Sequence, residues 1–137
     1  MNEALHRTYI NLKFDDDTSA MFADIISKDT VLTEVFLYIG RELNKQYKDH
    51  NQMLGITVNE VIENVVLDRL TRKPKGKTFV FEQSHTNISR KAAEKCVDKL
   101  LDMSLLYEKP KKPYKYLFLT VRGQQVLVSL SKKQSEE

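Results

Sequence analysis

The chain has 137 residues, 41% hydrophobic and 30% charged, which is enough apolar material for one core and enough charge to keep its surface wetted. No apolar run approaches the ~20 residues of a membrane span, and no apolar leader opens the chain, so a soluble, cytoplasmic, single-domain protein is expected. One cysteine, Cys96, forbids an intramolecular disulfide, and the net charge of +3 is too mild to name a partner by itself.

Residues 1–28 read as an N-terminal strand or ordered arm followed by a short helix. Thr8, Ile10, Leu12 and Phe14 alternate with Tyr9, Asn11 and Lys13, the period of a half-buried strand. Asp15-Asp16-Asp17-Thr18 precedes the apolar residues Met21, Phe22, Ile25 and Ile26. Consecutive carboxylates in a turn seldom converge on one ion, so these acids are read as helix caps and not as a metal site. Asp29 or Thr30 then opens a longer helix striped by Val31, Leu32, Val35, Phe36, Ile39 and Leu43, with Gly40 inside it for close packing. Phe36, Tyr38 and Tyr47 could line a ligand pocket, although aromatic residues at helical spacing more often form a core or a dimer contact.

Thr57-x-x-Glu60 is a capping box, and Val58, Val61, Ile62, Val65, Val66 and Leu70 extend the apolar helical period to about residue 72. β-Branched residues are mediocre helix formers, so burial must hold this segment. The stretch Thr71 to Thr78 reads as a basic loop, with Arg72, Lys73, Lys75 and Lys77 and no acid. Its Gly76-Lys77-Thr78 is not a P-loop: the first glycine is missing, a helix precedes it, and Thr78 to Glu82 reads as a strand.

Ser89 caps the next helix, whose Ala93, Cys96, Val97 and Leu100 share a face, and Ile88 can staple onto Ala93. Arg90, Lys91 and Lys95 crowd its N-terminal half, whereas a helix dipole favours acids there. Local stability does not explain that order; a phosphate-rich partner would. Leu105 to Lys109 and Tyr114 to Leu119 form two strands around a Pro-Lys-Lys-Pro tip, and Thr120 caps a last helix carrying Val121, Val126, Leu127 and Leu130. The polar residues 131–137 read as a frayed tail.

Helix, basic hairpin, then Leu119-Thr120-x-x-Gly123 opening a further helix resembles the second half of a winged helix-turn-helix domain. The similarity rests on Ile88-Ser89-Arg90, Leu100-Leu101, Leu105-Leu106 and that closing motif, roughly 50 of the 137 residues. Within the superfamily the chain is most similar to small dimeric repressors and plasmid-partition adaptors. The resemblance implies an α+β, mostly helical fold: a winged-helix core over residues 29–130, with a two-stranded basic wing and a C-terminal helix.

It also implies site-specific binding of double-stranded DNA by a homodimer, as a transcriptional regulator or a plasmid or phage replication or partition protein. His85 becomes a groove contact; Thr86, Asn87 and Ser89 are placed to touch phosphates; Asn87, Arg90 and Lys91 can reach base edges. Lys95 is a phosphate contact, and Lys111 and Lys112 approach the minor groove or flanking backbone. Lys73, Lys75 and Lys77 either contact phosphates or form a solvated loop. Val126, Leu127 and Leu130 are the expected dimer interface. One departure from the superfamily stands out: some 15 residues separate the helix that begins at Thr57 from the recognition helix, where a tight turn is usual. Either Glu82 to Asn87 holds that turn, or the helix docks through an insertion.

The histidines His6, His50 and His85 and the lone cysteine lack metal-ligand spacing, and no Ser-His-Asp, Cys-His or paired-carboxylate pattern stands out. A non-enzyme without metal or cofactor is expected, and nothing supports a small-molecule effector. The competing reading is a winged-helix module whose basic wing binds an acidic protein and no DNA.

Overall fold

A computed structural model describes residues 2–136 of the chain, with only the backbone described at 2, 3, 69–71 and 136. Four of the helix starts are set by neighbouring side chains. Asp15 accepts from the Thr18 amide at 2.7 Å and opens α2 (Asp16–Ser27). Asp29 accepts from Leu32 at 3.1 Å and opens α3 (Thr30–His50). Thr57 accepts from Glu60 at 3.3 Å for α4 (Val58–Asn64), and Ser89 from Ala92 at 3.2 Å for α5 (Arg90–Asp102). Of the three acids before α2, Asp15 is thus the cap, and Asp16 and Asp17 lie in the first turn.

The remaining elements are α1 (Asn2–Thr8), the long hairpin β1 (Val66–Lys75) and β2 (Thr78–Asn87), the short hairpin β3 (Leu106–Lys111) and β4 (Tyr114–Leu119), and α6 (Val121–Glu136). The fold is α+β and mainly helical, with two separate antiparallel hairpins among the described residues. Ile56 adds one rung beside β4: its amide donates to the Leu117 carbonyl at 3.1 Å, and the Leu117 amide returns a bond of 2.7 Å. The core runs between α2, α3, α5 and α6, with Phe36, Ile39, Leu43, Val97, Leu100, Leu105 and Leu130 essentially inaccessible. No helix is long and apolar enough to cross a membrane, among the described residues.

Four expectations are corrected. The alternating stretch 8–14 is no strand: α1 ends at Thr8, a turn follows, and Tyr9, Ile10 and Leu12 all stand about half exposed. Its carbonyls bond to a side chain instead of a neighbouring strand, because Arg122 donates to those of Tyr9 and Leu12. The helix from Thr57 stops at Asn64 and does not reach residue 72. Val65 leaves helical geometry (φ −87°, ψ 116°), and the β-branched Val65 and Val66 pass into β1, where Leu67 is buried and Val66 exposed.

Third, Val126, Leu127 and Leu130 are not available to a second copy. They fill this chain's own core, where α6 packs on α2 and α3 and Leu127 lies directly over Gly40. A Cβ at Gly40 would stand 2.2 Å from Leu127 Cδ2, which is the close packing expected of that glycine. Fourth, the chain after Ser131 does not fray: α6 continues to Glu136, and Lys133 pairs with Asp24 of α2.

Candidate nucleic-acid interface

The insertion between α4 and α5 is the β1–β2 hairpin itself, so Glu82 to Asn87 is strand and not a turn. Its two ends meet, with Val66 facing Asn87, and the Ile88 amide donates to the Val65 carbonyl at 3.0 Å. Asn87 donates from Nδ2 to the carbonyls of Ile62 and Glu63, each at 3.0 Å. Its amide therefore satisfies the open end of α4 and is already engaged, which removes it from the residues placed to read bases. The hairpin leaves α4 and α5 packed as neighbours, as two helices joined by a short turn would be.

On α5 the exposed face carries Arg90, Lys91 and Lys95. Arg90 is tethered: Nη2 donates to Asn59 Oδ1 of α4, and Nη1 lies 3.6 Å from Glu94 Oε1. Lys91 and Lys95 form no ion pair with any described acid. Ser89 is exposed, and its hydroxyl is used in capping. Lys111 and Lys112 stand at the tip of β3–β4, exposed and likewise without an acidic partner among the described residues. The base of that hairpin is rigid, since Ile56 holds β4 and the Tyr107 ring stacks on His6 of α1 at 3.6 Å and 3°.

His85 and Thr86 lie on the exposed β2 strand, at the base of the hairpin and not on α5. His85 sits opposite Asp68 of β1 and bonds to it through Nδ1. Lys73, Lys75 and Lys77 gather at the far end of the same hairpin, where Lys73 pairs with Glu82 at 2.7 Å. The candidate residues thus fall into two groups, α5 with the β3–β4 tip, and the β1–β2 arm.

Behind the β3–β4 hairpin an open groove of about 730 Å³ is lined by Gln46, Gly55, Glu60, Lys109, Lys111 and Tyr116 among others. Gln46 staples its floor, accepting from the amides of Leu54 and Gly55 at 2.8 and 3.0 Å. Burial pushes the Glu60 carboxyl above its ordinary value, with Glu42 and Glu63 adding to the effect. Phe36, Tyr38 and Tyr47 do not share a pocket: Phe36 is core, while Tyr47 is more than half exposed. No group of histidine, cysteine and acidic residues able to hold a metal occurs among the described residues. The Cys96 thiol is buried, and desolvation raises its pKa, which makes it a core residue and not a nucleophile.

Three residues escaped the sequence reading. Phe79 and Phe81 are 54% and 68% exposed on β2, although Phe79-Val80-Phe81 directly beside a basic stretch was a visible signal. Arg122 is 2% exposed, and nothing local foretold that. Compared with models of known protein families, with curated proteins and with solved structures, the chain matches none of them.

Proposed function

We propose that the chain is a winged helix-turn-helix protein that binds double-stranded DNA. In this reading α5 enters the major groove by its N-terminal half, and the β3–β4 hairpin rests on flanking backbone or in the minor groove. One observation carries it: the spatial order α3, Ile56 rung, α4, α5, then a hairpin pinned to Ile56, with lysines free of described acids on α5 and at the hairpin tip. Arg90 and Lys91 read base edges, Lys95 and the Ser89 end of α5 hold phosphate, and Lys111 and Lys112 clamp the flank. No metal, cofactor or catalytic group is needed. The role is that of a regulator or a replication or partition protein acting as a homodimer.

A mobility shift on mixed-sequence duplex, run at several salt concentrations, tests the reading. Phosphate neutralisation gives weak binding whose logarithm falls linearly with log salt, by roughly 0.9 per phosphate contacted. Absence of duplex binding at low salt would sink it and leave the acidic-protein partner in its place.

A further inference from the structure

The β1–β2 hairpin is longer than any turn between α4 and α5 requires. Ten residues per strand reach roughly 30 Å, about one helical turn of duplex DNA. Beyond its base its described side chains are exposed, and of those on β2 only Ser84 is partly covered. Isolated two-stranded hairpins are marginal in water, so this arm is held chiefly by its own cross-strand pairs.

Its two faces differ. Alternation and register put Phe79, Phe81, Arg72 and Pro74 on one face, since Phe79 faces Pro74 and Phe81 faces Arg72. The Arg72 guanidinium lies 4.5 Å from the Phe79 ring centre, a cation–π contact. The other face carries Lys73, Lys75 and Val80, and Lys77 sits in the two-residue loop beside Gly76 (φ +63°). Against these cations the outer half offers one acid, Glu82, already taken by Lys73. Two uncovered phenyl rings inside a cationic tip form neither a surface for water nor one for a second copy, whose equally basic tip would repel it.

We propose that this arm is a second DNA-binding element, lying in a groove of the same duplex next to the stretch occupied by α5. Arg72 beside the rings and Lys77 in the loop meet phosphates, Lys75 reaches the groove wall from the outer face on its long stem, and Phe79 and Phe81 press on a base step and partly unstack it. A two-stranded ribbon fits a DNA groove, and apolar wedges that open base steps are how such ribbons kink the duplex. The inference rests on the duplex reading above and adds to it the arm, its rings and a distorted base step.

The test compares wild type, Phe79→Ala/Phe81→Ala and Lys75→Ala/Lys77→Ala on two mixed-sequence duplexes carrying 2-aminopurine. One is about 12 base pairs, little more than a helical turn, and the other about 36. All four positions are exposed, so the domain folds in each variant, which circular dichroism verifies; Phe79→Leu/Phe81→Leu, which keeps apolar cross-strand pairs without the rings, should lose the fluorescence rise as the alanine variant does. On the long duplex the phenylalanine variant should bind roughly 5- to 100-fold more weakly and lose the fluorescence rise that unstacking gives wild type. The lysine variant should flatten the salt slope by roughly 2. On the short duplex all three proteins should bind alike.

Equal binding and equal fluorescence of all three on the long duplex overturn the arm while leaving the duplex reading intact. Wild type that ignores both duplexes removes the reading and the arm together. Preference of the arm for a single strand, or a sedimentation shift from dimer to monomer in the phenylalanine variant, would replace the duplex by that other occupant.

Discussion

Arg122 of α6 donates from Nη1 to the carbonyl oxygen of Tyr9 at 2.6 Å, joining positions 113 apart in the chain. The same nitrogen reaches the Leu12 carbonyl at 2.9 Å, and Nη2 reaches Ser104 Oγ at 2.8 Å. Burial lowers the Arg122 pKa, yet a guanidinium keeps its charge in a protein, so a full cation is spread over these acceptors. Gln125 repeats the tie one turn on: its Oε1 accepts from the Phe14 amide at 2.9 Å and its Nε2 donates to the Phe14 carbonyl at 2.8 Å. Together they dock the segment between α1 and α2. Arg122→Lys keeps the charge and loses the planar fork, so it should cost about 1.5–3 kcal/mol. Urea denaturation measures the loss, and amide exchange should rise across residues 2–14. Unchanged stability would mean that water replaces the fork without penalty.

Two glycines make opposite demands on their neighbours. A Cβ at Gly123 would stand 1.9 Å from the Leu105 carbonyl oxygen, which also accepts from the Thr120 amide and hydroxyl. Backbone so engaged cannot retreat, and Gly123→Ala should cost at least about 3 kcal/mol. At Gly40 the obstacle is the Leu127 side chain, which can turn, and alanine gains about 1 kcal/mol of helix propensity. Gly40→Ala should therefore cost less, and its penalty should vanish in a Leu127→Ala background. A thermodynamic cycle showing no coupling between Gly40 and Leu127 would refute the contact.

Local signals in the sequence were legible where the structure is local. Asp15, Asp29, Thr57 and Ser89 each bond to an amide three residues away, so four helix starts could be read without knowing the fold. The β3–β4 hairpin was equally local. β1 was not, because Val61, Ile62, Val65 and Val66 continue a helical period across the point where the backbone changes. Only the pairing with β2, and Asn87 reaching back to Ile62 and Glu63, ends the helix there. The α6 stripe was legible as apolar but not as to its surface, since periodicity identifies a buried face without saying what buries it. For the candidate site, charge placed Lys91, Lys95, Lys111 and Lys112 on open surface, whereas the engagement of Asn87 and Arg90 depends on contacts distant in sequence.

The last turn of α6 is tied to α2 by Lys133 and Asp24. The Lys133 ammonium, by hydrogen bond first and charge second, lowers the Asp24 pKa below its ordinary 3.8. A lowered folded pKa gives a contribution present above 3.8 and lost as pH falls through the folded value. Lys133→Met should remove that part of the acid-side dependence and leave neutral-pH stability nearly unchanged, because exposed pairs are weak and screened. Denaturation midpoints from about pH 2 to 7 check it. Identical acid limbs in the two proteins would show the pair to be inert.

Lys111 and Lys112 should act alike on every DNA sequence. Their double alanine variant should weaken specific and random duplex by the same factor and flatten the salt slope by roughly 2 per subunit, at about 0.9 per contact. An unaltered slope would take the hairpin tip out of the interface.

Arg90 and Lys95 should divide the labour of α5. Arg90 opens the helix, where a helix entering a groove by its N-terminus brings side chains nearest the base edges. Its present ties to Asn59 and Glu94 must first be released. Exposed ties of this kind are worth about 0–1 kcal/mol, whereas a bidentate grip on guanine discriminates by about 1–3 kcal/mol, so the base wins. Lys95 lies about 7.5 Å further along the axis, nearer the groove wall, as a point charge on phosphate. With a site selected from a random duplex pool, Arg90→Ala should cost about 1–3 kcal/mol there and little on random duplex. Lys95→Ala should lower both equally, and Asn59→Ala, which frees Arg90, should leave specific affinity unchanged or slightly raised. Equal loss on both duplexes from Arg90→Ala would make Arg90 a phosphate contact and shift the register of α5 in the groove.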